Sequence, residues 1–232
     1  MDEILARNYL SRGGLEKLRG IKSMKWSGKM TLPLLGIEMP QVIWQKIPGK
    51  MRVESAFQNR MIVLGIDGET TWWTVPLPGT EEPQDMPAAQ AELFREQADS
   101  GNRLTFFEDR GDRLELLGRE EIDGIPVFKL KLTGRESGRG TFFYLDSESG
   151  LELKNSGTIE GGDGAQLVEC RLRDYRPVDG VMFPFAVESR INGKVQMQLA
   201  FDSVEINPSV DDAIFRKPPG PGKPDKKTTG TK

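Results

Sequence analysis

Histidine is absent from the 232-residue chain. Its absence removes the commonest general base and the commonest metal ligand together, so zinc chemistry has no donor set and no metal is expected. There is one cysteine, which excludes an internal disulfide. Cys170 falls on the apolar parity of its strand and reads as a buried, inert thiol, since a nucleophile would need a base to activate it. No apolar run approaches the roughly 20 residues that span a bilayer. The opening Met1, Asp2, Glu3 lacks the pattern of a signal peptide, although a mature exported domain would begin in the same way. Catalytic constellations are missing too. Glu120 and Glu121, or Asp211 and Asp212, are neighbours in sequence, and neighbours on a strand point to opposite faces. Gly161, Gly162 and Gly164 precede no helix, so they form a hairpin loop and not a phosphate cradle. No catalytic residue and no cofactor is expected, and the chain is read as a non-enzyme.

What is present describes a turn-rich globular protein: 37% hydrophobic residues, 29% charged and 26 glycines. The net charge of −3 is uneven. The last sixteen residues carry five lysines against Asp225, a net +4, which leaves −7 on residues 1–216. An acidic body argues against nucleic acid. Pro218, Pro219, Pro221 and Pro224 stand among those lysines, so residues 217–232 read as a disordered tail behind a domain of residues 1–216.

Along the chain, residues 2–12 have the spacing of an amphipathic helix with Ile4, Leu5, Asn8 and Tyr9 on its stripe; Gly13 and Gly14 break it, and residues 15–18 make a second helical turn. Period-two alternation follows. Met24, Trp26, Gly28, Met30 and Leu32 share one face of a strand. Residues 37–47 are apolar on both parities, with Pro40 pointing to an edge or a bulge. Strands are expected over 50–58, 61–66 and 69–75, with Asp67 and Gly68 as a hairpin turn. A helix is expected from Pro87 to Ala98, with Leu93, Phe94, Gln97 and Ala98 on one stripe. Leu104, Phe106 and Phe107 fit either a covering turn or a short strand. A second block runs through 114–122, 127–133, 141–145 and 151–159, with Asp123 and Gly124 as a turn. It ends in a meander over 166–207 centred on Asp179 and Gly180. Roughly eleven strands with few helices predict a mainly β (α+β) fold, a single antiparallel sheet too long to stay flat. The helices are expected to lie across its concave apolar face.

Several stretches resemble a known family. Gly13, Gly14, Leu15, Glu16, Lys17, Leu18, then Ile21, Lys22, Ser23 and Gly28 resemble the opening of periplasmic proteins of the outer-membrane lipoprotein-sorting carrier family. So do Asp67, Gly68 and Trp72, and the closing run from Asp174, Tyr175, Arg176 to Phe183, Pro184. The resemblance spans nearly all of residues 1–216. It implies an unclosed half-barrel with an apolar cavity for acyl chains of lipids or lipoproteins, held for transport to the outer membrane. It also implies inner- and outer-membrane transport proteins as partners, transient membrane contact and a monomer. Relatives with this fold sense lipids or envelope stress instead, which is the alternative reading. The candidate lipid-binding residues lie on the inward parity of successive strands and on the central helix: Trp26, Met30, Met39, Ile43, Val53, Phe57, Leu64, Trp73, Phe94, Leu130, Met197, Leu199 and Phe201. Methionines among them suit a flexible apolar lining.

Overall fold

A computed structural model describes residues 1–75, 82–100, 103–135, 137–161 and 164–220. Two short helices open the chain, α1 (Asp2–Ser11) and α2 (Leu15–Gly20). Six strands follow: β1 (Ser23–Leu32), β2 (Ile37–Lys46), β3 (Lys50–Phe57), β4 (Arg60–Asp67), β5 (Thr71–Thr74) and β6 (Gln84–Asp85). Then come α3 (Ala88–Ser100) and α4 (Arg103–Arg110). The second block is β7 (Arg113–Ile122), β8 (Ile125–Thr133), β9 (Gly140–Asp146), β10 (Glu152–Gly161), β11 (Gly164–Val178), β12 (Val181–Ile191) and β13 (Lys194–Ile206). The two-residue β6 is too short to show a period in the sequence.

All thirteen strands belong to one antiparallel, unclosed sheet ordered β6-β5-β4-β3-β2-β1-β13-β12-β11-β10-β9-β8-β7. Two meanders are therefore joined at a seam where the first strand pairs with the last, Met24 opposite Ile206 and Met30 opposite Leu199. The chain leaves the sheet at one edge, β6, and re-enters at the other, β7. The connection through α3 and α4 must cross the sheet from edge to edge, and their apolar residues pack on its concave face.

Three buried clusters lie under the helices. Leu18 of α2 and Ile21 pack on Met24, Phe183, Phe185, Phe201 and Val204. Ala91, Phe94 and Ala98 of α3 pack on Met51, Val53 and Ile66. Leu5 of α1 and Leu104 of α4 pack on Leu130, Leu132, Phe143 and Leu145. At Gly13 (φ 109°) an added Cβ would lie 2.2 Å from the Gly180 oxygen, so the glycine that ends α1 is required by the β11–β12 turn beneath it. The backbone N–H of Met182 donates to the Arg12 oxygen at 3.1 Å, tying the two stretches together.

The opposite face of β2–β5 is covered by the C-terminal segment. A 3-10 turn, Asp212–Phe215, buries Phe215 completely beside Trp72, whose Nε1 donates to the Phe215 oxygen at 2.8 Å. Arg52 donates to the Ile214 oxygen at 2.8 Å, and Lys46 and Lys50 reach the Asp212 carboxylate at 2.5 and 2.6 Å. Those two ammonium groups hold the Asp212 carboxyl down at about 2.

Some details differ from the sequence reading. Pro40 sits on an interior strand, opposite Lys29 of β1; pairing of β2 with β3 ends at Gln41 and Ser55, so the missing N–H interrupts no bond to β3. Gln97 is exposed, because the stripe of α3 that meets the sheet is Ala91, Phe94 and Ala98. Leu104 to Phe107 are helical, with a kink at Phe106. In the stretch expected to form a tail, Lys217 pairs with Asp85 at 2.9 Å, and residues 221–232 lie outside the described residues, as does Gly162.

Candidate functional site

The register places five of the predicted site residues in one continuous row across the concave face. Trp26 of β1 is opposite Ile43 of β2, Ile43 opposite Val53 of β3, Val53 opposite Leu64 of β4, and Leu64 opposite Trp73 of β5. Phe94 of α3 lies over this row, packed with Ile43, Val53, Leu64 and Trp73. Trp26 also meets the rings of Phe183 and Phe201, at centroid distances of 5.3 and 4.9 Å, edge-on to the first and tilted on the second. Such arrangements favour tight aromatic contact. Leu199 packs against the same cluster as Phe201.

Further along the strands, beside the loops that join β1 to β2 and β3 to β4, Met30 is opposite both Met39 and Leu199. Met39 is buried, while Met30, Phe57, Met197 and Leu199 are partly exposed. Leu130 stands apart from the other predicted residues, fully buried in the cluster under α1 and α4. A second continuous row connects it to Met197: Leu130 on β8, Phe143 on β9, Asn155 on β10, Cys170 on β11, Ser189 on β12 and Met197 on β13. Its ends are apolar and its middle is polar.

Glu152 belongs to that polar middle and escaped the sequence reading. A shift in the β9–β10 register between Glu152 and Lys154 turns Glu152 to the same side as Asn155, where simple alternation would have put it on the other. Asn155 Nδ2 donates to Glu152 Oε1 at 2.8 Å, and the Tyr175 hydroxyl donates to the Glu152 backbone oxygen at 2.8 Å. Burial pushes the carboxyl up to about 7, while the Asn155 hydrogen bond and the nearby Arg12 charge pull it down. Burial and Glu152 together push the Tyr175 phenol up as well. The Cys170 thiol is raised chiefly by burial, which leaves it a poor nucleophile.

Helix α3 is tied at several points. Gln45 Nε2 donates to the Ala98 oxygen. From the other half of the sheet, Arg139 in the segment between β8 and β9 reaches Glu92 at 2.7 Å and Glu96 at 3.4 Å. The helix thus bridges the two halves of the trough. Its side chains fill the space above the first row. A depression of about 620 Å³ lies elsewhere, along Glu69, Thr71, Asp85, Met86, Glu92 and Arg95. Among the described residues no group of three acidic or cysteine side chains could hold a metal ion, and no helix is long and apolar enough to cross a membrane.

Solved structures share this fold. A LolA superfamily protein of Nitrosomonas europaea superposes with a TM-score of 0.58 over 88% of this chain and 96% of its own, at 18% identity. The chain has the LolA fold. A domain assigned to an outer membrane lipoprotein-sorting protein of Vibrio parahaemolyticus is similar to this LolA-like chain with a TM-score of 0.61 and 13% identity, covering 93% of this chain and 95% of that one. A DUF1329 family protein of Desulfovibrio piger gives 0.60 and 10%, covering 90% and 95%. No protein-family model matches the sequence, and neither does any curated protein. The likeness is one of fold, and the LolA-like hollow is the candidate site.

Proposed function

We propose that this chain is a periplasmic, non-enzymatic carrier that holds acyl chains of lipids or lipoproteins on its concave face for transport to the outer membrane. The observation that carries this reading is the row Trp26, Ile43, Val53, Leu64 and Trp73, an apolar strip across five strands, covered from Ile43 to Trp73 by α3 and packed at Trp26 with the cluster under α2. An acyl chain gains about 0.8 kcal/mol for each methylene buried, so a strip of this kind, exposed by displacement of Phe94, offers a site for a long chain. The shared fold with a lipoprotein-sorting domain supports the assignment. Membrane transport proteins on either side would load and unload a monomer in transient contact with lipid. The candidate binding residues are those expected from the sequence, with Met30, Met39, Phe57, Met197 and Leu199 towards the mouth and Leu130 at the far end of the second row.

Leu199 provides the test. It is partly exposed and faces Met30 across the seam. In Leu199→Arg the stem can lie along the apolar wall while the guanidinium reaches water, so folding survives and a cation replaces the apolar contact. The expected result is a thermal unfolding midpoint within a few degrees of the parent and a loss of fluorescent fatty-acid binding of tenfold or more. A folded variant with undiminished binding removes Leu199 from the site. A parent protein that binds no fatty-acid probe refutes the carrier reading.

A further inference from the structure

The concave face of β2 and β3 holds a buried polar pair. Gln41 and Ser55 are register partners, 6% and 1% exposed, on the same face as Ile43 and Val53. Gln41 Nε2 donates to Ser55 Oγ at 3.1 Å and lies 3.4 Å from Met30 Sδ. A thioether sulfur can only accept, so the amide nitrogen belongs on that side. The amide oxygen, Oε1, is buried and has no hydrogen-bond partner. Gln45, beyond Ile43 on the same face of β2, has its amide nitrogen satisfied by the last turn of α3 at Ala98. The two glutamines therefore differ in role: one anchors the covering helix, and the other presents an unserved acceptor.

An unpaired buried acceptor is a standing cost that an apolar side chain of the same shape would avoid. Its position gives that cost a use. Gln41 lies between the apolar row at Trp26 and Ile43 and the methionine pair Met30 and Met39. A chain that leaves the row at Trp26 and Ile43 and runs along the strands towards Met30 and Met39 would bring the first polar atoms of the ligand to Oε1. An acceptor answers only a donor. We propose that Gln41 selects acyl ligands bearing a hydrogen-bond donor at the head of the chain, an amide N–H or a hydroxyl, over ligands that offer acceptors alone. The inference rests on the carrier reading and adds the chemistry of the head group to it. Met30 and Met39, with flexible thioethers, accommodate head groups of different width.

The test uses the full chain and a fluorescent fatty-acid probe displaced by two competitors with one acyl chain: N-(2-hydroxyethyl)oleamide, which carries donors, and methyl oleate, which carries none. The parent is expected to favour the amide by about five- to tenfold, the worth of one hydrogen bond. Gln41→Met, which keeps much of the shape and removes the amide, is expected to lose most of the preference for the amide ligand over methyl oleate. Equal affinities in the parent would mean that a trapped water serves the oxygen, and the assignment falls; this comparison needs no variant and stands even if Gln41→Met does not fold. A folded Gln41→Met that keeps the full preference also overturns it. Failure of the probe to bind the parent at all refutes the carrier reading itself, a result distinct from either of these.

Discussion

The two halves of the sheet share one topology and use their concave faces differently. In β1–β5 the row Trp26, Ile43, Val53, Leu64 and Trp73 is apolar throughout, with Phe94 over its part from Ile43 to Trp73, and the reverse face of β2–β5 is clamped by Phe215 and Asp212. In β8–β13 the row from Leu130 to Met197 passes through Asn155, Cys170 and Ser189, with Glu152 beside them. The strands β2–β5 are thus covered on both faces. The raised carboxyl of Glu152 gives the second half a pH dependence near neutrality, whereas Asp212, held at about 2 by Lys46 and Lys50, gives the first half one in acid.

The largest effect is expected at the clamp. Phe215→Ala removes a fully buried ring that packs where Trp72 meets the C-terminal turn, and such truncations cost about 3–5 kcal/mol. Denaturant unfolding followed by tryptophan fluorescence measures it. A cost below about 1 kcal/mol would show that the first half does not depend on its second cover. Next comes Glu152. Its folded pKa is raised from 4.5 to about 7, so the native state holds that proton more tightly than the unfolded chain does. The stability it contributes is complete below about pH 4.5, declines as pH rises through about 7, and does not return above it. The parent is expected to lose on the order of 2 kcal/mol between pH 5 and pH 8 from this group, and Glu152→Gln to flatten that slope. Unfolding midpoints at the two pH values decide it, and an unchanged slope would take pH dependence away from this half. The smallest effect is expected from ending the chain at Arg216. It deletes the exposed ion pair of Lys217 and Asp85, worth about 1 kcal/mol at most, and leaves Phe215 in place. A fall in melting temperature of more than a few degrees would show that residues 217–232 belong to the folded domain.

Much of this architecture is legible in the sequence where the cause is local. Asp123-Gly124 and Asp179-Gly180 do form tight turns with positive φ, and Asp67 does close its hairpin, its carboxylate accepting from the N–H groups of Glu69 and Thr70. Alternation likewise places Trp26, Ile43, Val53 and Trp73 on one face, as their register shows. Longer-range features leave no such trace. Pairing of β1 with β13 joins residues about as far apart as the chain allows, and no turn residue announces it. The contact of Gly13 with Gly180 is equally distant, though both glycines stand out in the sequence. Bulges are the other source of error: Glu152 changes face through a register shift that alternation cannot foresee. Gln97 falls at helical spacing from Leu93 and Phe94 and yet faces outward, because the residues of α3 buried against the sheet are Ala91, Phe94 and Ala98.

The seam between β1 and β13 also sets an order of assembly. A chain made from its N-terminus completes β1 by Leu32 but cannot cover that strand's second edge until residues 194–206 exist. Either meander can form from neighbouring hairpins, yet the middle of the finished sheet is the contact of greatest loop-closure cost, which places it late in folding. Throughout that interval the growing protein presents an unpaired strand edge at what will become its centre, a surface open to misassociation. An escort that keeps the chain extended until its last strand is complete would remove that hazard, and hydrogen exchange during refolding, with protection arriving last at those amides of Met24 to Met30 that bond β13, would reveal the interval directly.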